Sequence, residues 1–135
     1  MATGTAGSSA RRNTTQQVGY LRKGFTKANA TETLTVGVLP AGAIVVGAGV
    51  IVSEAFNAGT NNRLDIGTSD DTDGFATDLA LGTVGNIVWD ELATSNDLGP
   101  YASDTTIQCV VDVTGTAATT GIGTVYVLYI PNNDG

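Results

Sequence analysis

Apolar and polar residues alternate through much of this chain, most fully between Thr33 and Gly67. Leu34, Val36 and Val38 interleave with Thr33, Thr35 and Gly37, the period of two expected of a strand with one face buried and the other wet. Pro40 to Gly42 joins that strand to a second. From Ile44 to Val52 β-branched residues are interrupted by Gly47 and Gly49, as in a strand covered on both faces or bent so that another backbone comes close. A polar Asn/Gly loop follows, then a short strand over Arg63 to Ile66.

Ahead of this stretch, Gln17 to Thr26 sets Val18, Tyr20 and Phe25 around the basic pair Arg22 and Lys23. It reads as a first strand at a sheet edge, where positive side chains discourage unwanted pairing; docking on a partner would use the same residues. Behind it come the aspartate-rich segment Gly67 to Gly85, then Ile87 to Leu92, where Trp89 is expected to close one end of the core. Thr94 to Asp104 is a loop punctuated by Gly99 and Pro100. Thr105 to Thr114 and Gly123 to Ile130 read as a hairpin across Gly115 to Ile122. In the last strand Val125, Val127 and Tyr129 share one side and Tyr126, Leu128 and Ile130 the other. Both sides are apolar, which places the strand centrally in a sheet or makes Tyr126, Leu128 and Ile130 part of an oligomer interface. Seven or eight short strands and no helical period predict an all-β antiparallel sandwich, jelly-roll-like, with strand order left open.

At 135 residues the chain is long enough for one self-sufficient core. Residues 1–16 are small and polar with no periodic apolar face, so they are expected to form a flexible basic arm on a single domain spanning residues 17–135. Five of the six basic residues, Arg11, Arg12, Arg22, Lys23 and Lys27, precede every carboxylate. All thirteen carboxylates follow, opposed by Arg63 alone, so a segment of +5 leads into a body of −12. The overall charge of −7 argues against nucleic acid as a partner. No run is apolar enough for a signal peptide or a membrane span, and the expected place of synthesis is the cytoplasm.

Little here points to catalysis. There is no histidine, and the single cysteine, Cys109, sits in the alternation Ile107, Cys109, Val111, Val113, which makes it a buried small hydrophobe. Gly47 and Gly49 lie inside a strand and do not open a helix, so they are no phosphate loop. Asp70, Asp71 and Asp73 crowd oxygen ligands into one loop, but Ser69 and Ala80 stand where a calcium loop needs its first ligand and its bidentate glutamate. They are weak metal candidates, and no cofactor is expected. Asp65, Asp73 and Asp90 are the acids a carboxylate hydrolase would use. A carbohydrate-binding module would draw on the aspartate loop with Trp89 or Tyr101, although one Trp and no aromatic cluster weaken that alternative.

Leu39 to Gly42, Val52 to Thr60 and Leu64 to Phe75 carry a motif that resembles the short decoration, cement or head-associated proteins of tailed bacteriophages; GTVYVLYIPN at Gly123 to Asn132 is a second, weaker match. The resemblance spans about the middle third of the chain. It implies a jelly-roll-like virion structural protein, a capsid decoration or cement protein on the outer surface of the major capsid protein shell. A homo-oligomer, trimer or dimer, is implied too. Arg11, Arg12, Arg22, Lys23 and Lys27 are then the expected capsid contacts. A tail or head-fibre component is the alternative virion location.

Overall fold

A computed structural model of the chain describes residues 18–88 and 98–132. Eight strands form in order: β1 (Gly19–Thr26), β2 (Thr33–Leu39), β3 (Ile44–Glu54), β4 (Asn61–Thr68), β5 (Ala76–Ala80), β6 (Gly85–Val88), β7 (Thr105–Thr114) and β8 (Ile122–Ile130). The one helical element among the described residues is a 3-10 turn, Lys27–Asn29. Thr26 caps it: its hydroxyl accepts the Ala28 N–H at 3.2 Å, while Asn29 Oδ1 accepts the Thr26 N–H at 2.9 Å.

Two four-stranded sheets stack, one in the order β1-β8-β3-β6 and the other β2-β7-β4-β5, with every pairing antiparallel. β1 pairs with β8, β2 with β7, β3 with β6 and β4 with β5, as if one long hairpin had been rolled on itself with the β4–β5 turn at its tip. That winding is an eight-stranded jelly roll. The edge position expected of the first strand and the central position expected of the last are both found.

The inner faces hold the fold together. Val45, Val50, Val52, Val125 and Val127 of one sheet meet Leu39, Leu64, Ile66, Ile107, Cys109 and Val111 of the other, all buried. Each such aliphatic contributes roughly 1.5–3 kcal/mol when fully removed from water. Phe25 and Phe56 stack at one end with ring centroids 5.5 Å apart. Burial pushes the Cys109 thiol up to about 11, partly offset by the Leu34 backbone and the Lys23 charge, so it stays a neutral packing group.

Two expectations need correction. Thr105–Thr114 and Ile122–Ile130 do not form a hairpin: β7 pairs with β2 and β4, and β8 pairs with β1 and β3, in opposite sheets. Residues 115–121 carry the chain across the sandwich instead. The crossing needs Gly121, whose φ of +146° suits glycine and whose added Cβ would collide with the Phe56 ring. The aspartate-rich segment also contains a strand, β5, whose Ala76 and Leu79 are buried. Its Ala, Thr and Asp content hides it, because none of these supplies the β-branched aliphatic run of the other strands.

The two readings left open for Ile44 to Val52 are resolved in favour of a bend with a close approach. Val45, Ala48, Val50 and Val52 are buried while Ile44, Val46 and Ile51 are exposed, and the register slips between Val45 and Gly47. A Cβ on Gly49 would lie 2.7 Å from the Ile87 carbonyl oxygen and 2.7 Å from the Tyr126 hydroxyl.

Candidate docking surface

The outer face of the β1-β8-β3-β6 sheet is where exposed apolar side chains gather. Cross-strand register sets its rows: Tyr20 opposite Leu128 and Gly47, Arg22 opposite Tyr126, Gly49 and Val88, and Thr124 opposite Ile51 and Asn86. Nine of the eleven exposed large hydrophobics among the described residues lie on these strands or on Val18, which leads into them. Tyr20 is 64 % exposed, Ile51 48 % and Leu128 37 %. An exposed apolar cluster of this kind makes the face a candidate interaction surface.

Glycine shapes the face. At Gly47 and Gly49 nothing projects from β3, so Leu128 lies over the first and the Tyr126 ring over the second. Tyr126 then reaches across β3 and donates its hydroxyl hydrogen to Asn86 Oδ1 on β6 at 2.9 Å, which ties three strands together. Tyr20, Arg22, Ile51, Thr124, Tyr126 and Leu128 line a shallow hollow of about 290 Å³. Its lining holds one guanidinium, two phenols, a threonine hydroxyl and two aliphatics.

The residues expected to act in docking are therefore partly brought together. Tyr126, Leu128 and Ile130 share this face, joined by Tyr20, which the sequence offered as an inward or partner-facing residue of the first strand, and by Ile51 and Val46, which it did not single out. Arg22 stands among them. Lys23, its neighbour, follows the opposite parity with Leu21 and Phe25 and stays exposed at the open sandwich edge, near enough for its charge to act on Cys109. Lys27 sits in the turn after β1, where its backbone N–H donates to the Gly121 carbonyl at 3.1 Å. Arg11, Arg12, Trp89 and Asp90 lie outside the described residues.

The far tip is acidic. Asp70, Asp71 and Asp73 fall in the β4–β5 turn, which the Asp71 carbonyl organises by accepting the Thr68 N–H at 2.9 Å and the Gly74 N–H at 3.1 Å. Among the described residues no three His, Cys, Asp or Glu side chains are grouped to hold a metal ion. Burial lifts the Asp65 carboxyl above its usual range, and the Asp78 and Asp73 charges add to this. The Asp78 N–H, donated to Asp65 Oδ1 at 2.7 Å, works against the shift. Tyr101 is half-buried against the core, and its carbonyl accepts the Gly42 N–H at 2.7 Å.

No family model matches the sequence, and no curated protein matches it. Solved structures do. A chain in the capsid asymmetric unit of cyanophage Pam1 aligns with 86 % of this chain and 84 % of its own, at 21 % identity and a TM-score of 0.59. A chain of the acidic stable capsid of the Helicobacter pylori bacteriophage KHP30 aligns over 84 % and 87 %, at 18 % identity and a TM-score of 0.62. One from the capsid of Ralstonia phage GP4 aligns over 86 % and 85 %, at 18 % identity and 0.59. The jelly roll is a fold shared with chains of phage capsids. Coverage is nearly equal on both sides, so each matched chain is close in length to this one.

Proposed function

We propose that this protein is a structural component of a phage virion that decorates or cements the capsid, binding the outer surface of the shell formed by the major capsid protein. The observation that carries the reading is the fold likeness to chains of three phage capsids over 84–87 % of each partner's length. The charge division supports it. Arg22, Lys23 and Lys27 lie on β1 and the turn that follows, just after Arg11 and Arg12 in sequence, while most described carboxylates lie on the other sheet or its tip. A basic edge on an acidic body is suited to attach to an acidic shell and leave its carboxylates facing solvent, where they keep particles apart. Repetition over the shell makes modest single contacts lasting.

The test is co-sedimentation of the purified protein with shells that lack it. Wild type pellets with the shells and raises their disassembly temperature; the triple variant Arg22→Glu/Lys23→Glu/Lys27→Glu, and a form without residues 1–16, bind more weakly, and raised salt weakens wild-type binding in the same direction. Wild type that stays in the supernatant at low salt would refute the decoration role, and labelling confined to tails or head fibres would move the protein to that part of the virion.

A further inference from the structure

We propose that the outer face of the β1-β8-β3-β6 sheet packs against a second copy of this chain. The inference stands apart from the virion reading, because it rests on this face alone. Its first support is area. Four strands spaced about 4.8 Å apart, of 8, 9, 11 and 4 residues at roughly 3.3 Å per residue, make a plate of approximately 500 Å². Two such plates in contact bury on the order of 1,000 Å², the size at which specific interfaces begin. Sheets stack face to face about 10 Å apart, so a flat apolar face is a ready partner for another.

Charge selects the copy as the occupant. The chain carries −7, and two copies repel unless they meet where carboxylates are absent. The four strands of this sheet contain three charged residues, Arg22, Lys23 and Glu54. Lys23 takes the inward parity of β1, and Glu54 is held at the end of β3, where its carboxylate accepts the Gly121 N–H at 2.9 Å. The middle of the face thus carries a single charge, Arg22, and no carboxylate, in a molecule whose other outer face presents Asp65, Asp78 and Asp112. It also offers relief of both signs: the hollow between Tyr20, Arg22, Ile51, Thr124, Tyr126 and Leu128 can receive an aliphatic side chain, and Ile44, Val46 and Ile130 stand exposed to supply it. A surface that carries both hollow and projection can meet itself.

Sedimentation velocity of the purified chain from about 5 to 100 µM, the range in which an interface near the lower size limit is populated, decides the matter. Wild type is expected to associate reversibly. Tyr20→Asp/Ile51→Asp is expected to remain monomeric with an unchanged circular dichroism spectrum, while Val38→Asp, an equally exposed apolar position on the other sheet, associates as wild type does. Should the double variant fail to fold, Ile130→Asp at the end of the face gives the same reading. A monomeric wild type across the whole range, or equal association by wild type and face variants, overturns the inference. So does a monomeric wild type whose face variants lose shell binding, since the shell would then be the occupant.

Discussion

The two sheets contribute to one core from their inner faces yet present opposite characters outward. β2-β7-β4-β5 shows Thr35, Thr106, Gln108, Asp112, Arg63 and Asp65 to solvent, the polar half of an ordinary alternation. β1-β8-β3-β6 shows Tyr20, Ile44, Val46, Ile51, Leu128 and Ile130, so its alternation is apolar on both sides. The inner faces decide the fold, and the second kind of outer face is surplus to it. A strand read only for its buried side is the same in both sheets; its outward positions separate a solvated wall from a surface made for contact.

The largest expected effect comes from filling the flattened part of the apolar face. Gly49→Val would drive a side chain against the Ile87 carbonyl, which cannot swing away, and should cost about 2 kcal/mol, read as a fall of roughly 5–10 °C in Tm. Gly24→Val, on the same sheet with nothing within 4 Å of its added Cβ, should leave Tm level or slightly raised. Equal losses at both positions would mean that the close approach at Gly49 does not shape the sheet. Tyr126→Phe removes the bond to Asn86 that spans β3 and should cost about 0.5–1 kcal/mol in urea unfolding; no loss at all would make that bond ornamental.

On the polar face the effects should be smaller. Arg63 and Asp78 pair at 3.3 Å with both side chains about half exposed, so Arg63→Ala should change stability by no more than about 0.5 kcal/mol. Asp65→Asn should act in the other direction. The folded carboxyl titrates above its ordinary range, so the folded state binds its proton more readily than the unfolded state and the ionised group costs stability above that window. The cost is relieved as pH falls through the folded value. Asn keeps the Oδ1 acceptor for Asp78, so the variant should melt slightly higher at neutral pH, by about 2 °C or less given partial exposure, and lose that advantage below the unfolded value. A lower melting point at neutral pH and a gain only in acid would reverse the assignment.

Much of the fold was legible because period two is local. Leu34 with Val36, Ile107 through Val113, and Val125 with Val127 announce their strands and their buried sides directly. Pairing is not local, which is why β7 and β8 read as a hairpin: both carry an apolar inner side, and nothing in either records which sheet it joins. β5 was hidden by its composition. Of the docking surface, the parity of Tyr126, Leu128 and Ile130 was readable, and the same parity could have separated Arg22 from Lys23. Tyr20, Val46 and Ile51 could not be grouped with them before the β1-β8-β3 order and the slip at Gly47 were known.

Cryo-electron microscopy of phage capsids prepared with and without this chain tests the proposed decoration role most directly. The account predicts density for the eight-stranded sandwich on the exterior of the shell, repeated with the shell's symmetry and with the β1 edge turned toward it. A particle whose outer surface lacks that density, or one that holds the sandwich inside the head, would contradict it.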